Sequence, residues 1–416
     1  MSVEKDAIII GAGASGLSAA KELTRLGLTY TVIEGSHRIG GRAYSEEVAP
    51  GVWFDLGCTI LEGAQDTFLP IANQLGFKVG DHNHFDESLI KYYRNGAPLD
   101  DAQQAECMQF GDDSYNAIVE ASKSGQDIAV SDIIDLEHEF IAPILTNISS
   151  VWTRDADEVS CADVADAKGG CSVPVQKGYG NLVAAWGADV PVSLNTRADR
   201  IDWSGRGVSV ETPKGSIKGR TALITVSTGI LGAGDILFTP GLPDWKMDAI
   251  HGVPIGTENK MCIYFDEDIF GPDGRGVYSV WNDDGNGTDD SAFIEASVMG
   301  HNYCAVEHGG RQAVWLEKQG QQAGHDFAVD RISEVFGNDI RKHVSRSIVT
   351  AWTTEPWTRG AYAAAKPGQF HQRANLAKNV DERLFFAGEA TVYEAQGTCH
   401  GAYVSGIRAA QEIAAQ

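Results

Sequence analysis

The chain has 416 residues, 43% of them hydrophobic and 22% charged, values of an ordinary folded protein long enough for two domains. Its 33 Lys+Arg against 57 Asp+Glu give a net charge of −24, which disfavours nucleic acid and anionic membranes and favours cationic small molecules. No apolar run is long enough to span a membrane, and the seven cysteines lack Cys-x-x-Cys spacing, so no membrane protein, disulfide frame or metal site is expected.

In chain order, Ala7–Ile10 reads as a strand that starts too early to leave room for a secretory leader, which predicts a cytoplasmic product. Next come Gly11-Ala-Gly13-Ala14-Ser15-Gly16 and then Leu17, Ala20 and Leu23 at helical spacing. This is strand, tight turn and helix. Gly11 permits the turn, Gly13 lets backbone approach a pyrophosphate, and Gly16 lets the helix pack close. A second strand, Tyr30–Ile33, ends in Glu34, 23 residues after Gly11, where a carboxylate can take both hydroxyls of an adenosine ribose. Arg38, Gly40, Gly41 and Arg42 then set a glycine pair between two guanidinium groups, suited to the far side of the pyrophosphate.

Apolar spacing predicts helices over 66–75, roughly 100–122 and 134–152, and a turn from Lys177 into a helix reaching Trp186. Strands are predicted over 199–203, 207–212 and 221–227, forming a small sheet over the adenosine end. The strand within 256–266 puts Lys260, Cys262 and Tyr264 on one face and Met261, Ile263 and Phe265 on the other. The 283–290 run reads as a mobile acidic loop. Near the end, Arg383–Thr391 is an apolar strand running into Gly388 and Glu389, and Gly397–Gly406 launches a helix rich in small residues.

The glycine fingerprint followed by Arg38-Ile-Gly40-Gly41-Arg42, the segment Thr225–Leu231, and the pair FAGEAT (386–391) and GTCHGAYVSG (397–406) together resemble the FAD-containing amine oxidase family. The resemblance implies an α/β, two-domain amine oxidase fold. A Rossmann-type FAD-binding domain would comprise 1–75, 180–240 and 370–416, and a mixed α+β substrate domain 76–179 and 241–369. FAD contacts are then expected from Gly11, Gly13, Ala14, Ser15, Gly16, Glu34, Arg38, Gly40, Gly41, Arg42, Trp352, Trp357, Gly388, Glu389, Thr398 and Cys399. Ala361 stands where some members carry the cysteine that links the flavin, which implies noncovalent FAD.

By the same resemblance Lys260 is the lysine beside flavin N5, Tyr362 one wall of an aromatic cage, and Thr398 the opposite wall, where monoamine oxidases have tyrosine. All three are expected to be catalytic, with Tyr362 and Thr398 also binding substrate. Asp55–Gly63 is similar to a plant polyamine oxidase segment whose acid lies in the substrate tunnel, which makes Glu62 a candidate for a second ammonium. The implied reaction is oxidation of a di- or polyamine by hydride transfer to the flavin, with O2 or another acceptor taking the electrons and H2O2 formed from O2. A monoamine oxidase, an L-amino-acid oxidase, another flavin dehydrogenase and a silent flavoprotein scaffold are the alternatives.

Overall fold

The structure, a computed structural model, describes residues 5–62, 66–80, 90–168, 172–283 and 290–416. β1 (Lys5–Ile10) turns into α1 (Ala14–Arg25), and β2 (Tyr30–Ile33) follows. β3 (Ser45–Ala49) pairs with β4 (Val52–Asp55), and β5 (Ile60–Glu62) precedes α2 (Phe68–Leu75). Next come β6 (Ile90–Arg94), β7 (Ala97–Pro98), α3 (Asp101–Lys123), α4 (Ile141–Trp152), α5 (Cys161–Asp166) and β8 (Ser172–Pro174), the partner of β5. The chain continues through α6 (Tyr179–Gly187), β9 (Val192–Ser193), β10 (Arg200–Asp202), β11 (Val208–Thr212), β12 (Gly215–Ile224), α7 (Thr228–Ala233), β13 (Leu237–Thr239) and α8 (Asp244–Gly252). β14 (Glu258–Phe265), β15 (Gly276–Trp281), β16 (Ala292–Ala296), β17 (Tyr303–Gly309), α9 (Gly310–Gln319), α10 (Gln321–Phe336) and β18 (Val344–Val349) follow. α11 (Gln372–Ala377), β19 (Leu384–Phe386) and α12 (Cys399–Ala414) complete it.

Two large sheets organise these elements. In β1, Ala7 to Ile10 are buried on both faces, the condition of an interior parallel strand, and β1 lies between β2 and β12, parallel to both. The first sheet runs β13-β10-β11-β12-β1-β2-β9. β12 is long enough to pair antiparallel with β11 through Gly215–Gly219 and parallel with β19 through Ala222–Ile224.

The second sheet runs β18-β14-β17-β16-β15-β6-β7. On β14 the expected alternation holds: Met261, Ile263 and Phe265 pack with Ala328, Val329 and Ile332 of α10, while Cys262 and Tyr264 share the other face with Tyr303 and Ala305.

Two expectations change. The strand expected over 221–227 starts at Gly215 and stops at Ile224, because Thr225 Oγ1 turns back to donate to Ile10 O at 2.9 Å and Ser227 caps α7. The helix expected from 134 starts at Ile141. Asp135 Oδ1 accepts from Glu137 N and His138 Nδ1 from Phe140 N, local bonds that compete with a helix. Pro143 then falls in the first turn of α4, where proline is tolerated. Most of the acidic segment 283–290 lies outside the described residues.

One fully buried ion pair joins distant segments. Arg373 of α11 holds Asp163 of α5 with Nε and Nη2 at 2.6 and 2.7 Å, and also donates to Ala363 O and Ala390 O. Asp163 in turn accepts from Ala365 N at 2.7 Å. Removing one partner of such a pair strands a buried charge, so Asp163→Ala is expected to cost roughly 3–5 kcal/mol, read as a shift in denaturant midpoint with unchanged slope.

Candidate active site

A cavity of about 2110 Å³ runs from the glycine turn after β1 to the face of the second sheet that carries Lys260. At the first end, Gly11 has φ +109, and a Cβ on Gly16 would lie 2.0 Å from Gly11 O, so strand and helix meet too closely for any side chain. Gly13 caps α1 without a side-chain acceptor, which leaves the N–H groups of Ala14, Ser15 and Gly16 at the positive helix end. Gly13 also bridges to Gly40, and a Cβ on Gly41 would lie 3.3 Å from Gly13 Cα. Glu34 is fixed by accepting from Ala12 N at 2.7 Å and Ser36 N at 2.8 Å. Arg38 donates to Gly41 O at 2.8 Å and stacks 3.9 Å over Tyr44.

Trp357 packs directly on Gly35: a Cβ there would lie 2.5 Å from the indole. This sets Trp357 beside the residue that follows Glu34, whereas Trp352 is buried further along, its Nε1 donating to Leu56 O at 2.9 Å. The two tryptophans expected at one cofactor segment therefore serve different stretches of the cavity.

In the middle, Arg42 Nη1 donates to Glu389 Oε1 at 2.8 Å and to Ala361 O at 2.7 Å. Glu389 also accepts from Ala363 N at 3.3 Å and Gly397 N at 3.2 Å, so one carboxylate joins the arginine after the glycine pair, the loop around Tyr362 and the approach to α12. Gly388 has φ +140, and a Cβ there would meet no atom within 4 Å; on Gly13 the nearest would be 4.0 Å away. Both backbone positions thus border open cavity space, and the residues present fit an extended dinucleotide.

At the far end, Lys260 Nζ donates to Thr59 Oγ1 at 2.6 Å and pairs with Glu307 Oε1 at 2.9 Å and Glu258 Oε1 at 3.8 Å. Burial alone would favour the neutral amine, but Glu307 and Glu258 outweigh it and hold Lys260 charged, well above the usual lysine range. Glu307 faces Lys260 across the β14–β17 register, and Glu295 of β16 lies diagonally behind. Glu258 follows from its two-residue spacing on the same strand, but nothing in the sequence pointed to Glu307 and Glu295; only the pairing of the strands brings them to the lysine.

Tyr362 Oη donates to the carbonyls of Val151 and Ser150, at 2.9 and 3.0 Å, and a Cβ on Gly397 would lie 2.8 Å from its ring. Thr398 lines the cavity one residue further on, but its hydroxyl is engaged: it donates to Ala395 O at 2.7 Å and accepts from Gly401 N at 2.9 Å as the cap of α12. The Cys399 thiol is buried behind it and pushed above its ordinary range by contact with Cys58 and by burial. Glu62 lines the same end, its carboxyl raised by burial against the pull of His400, which pairs with Asp66 at 3.5 Å.

The sequence profile described as flavin containing amine oxidoreductase matches residues 14–103 and 147–414. The chain is 29% identical to FLOWERING LOCUS D of Arabidopsis thaliana, over 99% of this chain and 56% of that protein. It is 28% identical to lysine-specific histone demethylase 1 homolog 1 of Oryza sativa subsp. japonica, over 98% of this chain and 52% of that one. It therefore spans about half the length of these two relatives, but 87% of polyamine oxidase 2 of Arabidopsis thaliana, at 26% identity. Among solved structures, putrescine oxidase bound to putrescine superposes over 100% of both chains with a TM-score of 0.81 at 18% identity. Cyclohexylamine oxidase from Brevibacterium oxydans IH-35A superposes over 99% of both, with a TM-score of 0.79 at 20% identity.

Glu389→Ala is expected to release Arg42 Nη1, Ala363 N and Gly397 N together and to cost roughly 3–5 kcal/mol in a denaturant melt. The double variant Arg42→Ala, Glu389→Ala should recover part of that loss, because the stranded charge goes with its partner.

Proposed function

The chain belongs to the family of flavin-containing amine oxidoreductases, with FAD as its cofactor, and we propose that it oxidises a di- or polyamine. The observation that carries this reading is the acidic lining of the cavity beyond the cofactor residues: Glu295 and Glu307 lie near the charged Lys260, Glu62 lines the same end, and Glu258 adds a carboxyl that ionises as pH rises. Such a lining repels a carboxylate and attracts a cation, which favours an amine over an L-amino acid.

FAD, when bound, would supply the acceptor for the hydride leaving the carbon next to nitrogen, with O2, giving H2O2, or another acceptor taking the electrons. The protein's part is binding, orientation and charge. Glu34 would hold the adenosine ribose, Gly11 to Gly16 one side of the pyrophosphate, and Arg38, Gly40, Gly41 and Arg42 its far side. Tyr362 presents an aromatic face to the amine, and Thr398 leaves room opposite for a longer chain. Glu62 takes a distal ammonium. The names of polyamine oxidase 2 and putrescine oxidase are in line with a substrate carrying more than one amine.

Two measurements test the reading. The purified protein should be yellow and should release all its flavin on acid or heat precipitation, since Ala361 offers no thiolate; colour retained in the washed pellet would show a covalent link. Wild type should prefer a diamine to its monoamine analogue in kcat/KM, and Glu62→Gln should shrink that ratio by about tenfold, ~1.4 kcal/mol. An unchanged ratio would remove the distal-ammonium role.

A further inference from the structure

Glu258 stands two residues before Lys260 on β14 and therefore on the same, cavity-facing side of the strand. It is only 8% exposed. The one ion pair it makes among the described residues is with Lys260 Nζ at 3.8 Å, longer than a hydrogen bond, while Lys260 keeps its short contacts for Glu307 and Thr59. A buried carboxylate held by so long a contact is costly.

Its surroundings supply the rest. Gly256 N donates to Tyr362 O at 2.7 Å and Ala361 N to Gly256 O at 2.9 Å, which brings the start of β14 beside the aromatic wall. From α4, Ser150 lines the same cavity; it is 6% exposed, and its hydroxyl is buried without a hydrogen-bond partner. A carboxylate held only at long range and an unused hydroxyl thus both line the cavity near Tyr362.

We propose that Glu258 receives the ammonium of the reacting amine and takes its proton before hydride leaves the neighbouring carbon. This rests on the amine-oxidation reading above. In the step an N–H bond of R–CH2–NH3+ breaks and an O–H bond forms on Glu258, giving R–CH2–NH2 and a neutral carboxyl. The nitrogen lone pair so freed is what the departing hydride requires, and the proton passes to water as product leaves.

The charged and titratable groups facing Glu258 are Lys260 on its own strand, Glu307 on β17, Glu295 on β16 and Tyr362 from the adjoining loop. Burial pushes the Glu258 carboxyl up to about 8 against the pull of Lys260, and Glu307 and Glu295 push it the same way as burial. An ordinary carboxyl near ~4.3 would hold a proton from an alkylammonium near ~10.4 about a millionfold too weakly. At about 8 the deficit is a few hundredfold, which consumption of the neutral amine can overcome. The competent form is the carboxylate, so the rate rises as pH rises through the pKa of Glu258.

The test uses the FAD-loaded wild type, Glu258→Gln and Glu258→Asp. Anaerobic flavin reduction by putrescine and by butylamine is followed from pH 6 to 10. Binding of tert-butylamine, which has no hydrogen on the carbon bearing nitrogen and cannot reduce the flavin, is read from the flavin absorbance. Wild type should show a midpoint near pH 8. Glu258→Gln should move it up by at least one pH unit, slow reduction at pH 8 by tenfold or more, and weaken the Kd of tert-butylamine tenfold. Glu258→Asp should recover part of each effect, and carries the comparison if the glutamine variant does not fold. An unchanged midpoint, an unchanged Kd, or no response of wild type to tert-butylamine overturns the proposal. Failure of both oxidisable amines to reduce wild type would instead sink the amine-oxidation reading, with the tert-butylamine Kd still deciding whether Glu258 receives a cation.

Discussion

The two ends of the chain are locked together where α1 crosses α12, at a distance that admits no side chain. A Cβ on Gly406 would lie 2.1 Å from both Ser15 O and Ser18 Oγ, and Ser18 Oγ donates to Tyr403 O at 2.8 Å. Beneath this crossing β1, β12 and β19 run parallel, with Ile10 beside Ile224 and Ile224 beside Phe386. Gly11, Thr225 and Ala387 therefore leave the sheet at one edge, the carboxyl edge of parallel strands, where ligands of such sheets bind. A cofactor site assembled from both ends of the sequence is the consequence.

Local backbone demands made much of this legible. Gly11, Gly13 and Gly16, the Arg38–Arg42 segment and the strand at Leu384–Phe386 each announce a conformation within a few residues, so the backbone around this end of the cavity could be read directly. The Asp163–Arg373 pair could not. Its members are far apart in sequence, and neither residue type suggests full burial. The Trp357–Gly35 contact was equally hidden, although an unexplained glycine next to Glu34 was a usable sign of close packing.

The far end of the cavity shows why alternation alone is an incomplete guide. It correctly sorted the two faces of β14, but the charge of a face depends on which residues the neighbouring strands bring opposite. Lys260 meets Glu307 only because β14 and β17 pair in that register, and a slip of one residue would set His308 there instead. The lysine was legible as a chemical group; its electrostatic setting was written in strand pairing.

Thr398 carries two duties with one side chain. It borders the cavity, and its hydroxyl caps the sixteen-residue helix α12. Replacing a capping threonine by a residue without a side-chain acceptor costs about 1 kcal/mol. Divergence at this position is therefore channelled: serine, asparagine or aspartate can reshape the wall while keeping the cap, whereas a bulky aromatic must arrive with a compensating change near the start of α12. The shape of the cavity wall is tied, at one residue, to the integrity of the helix that closes the fold.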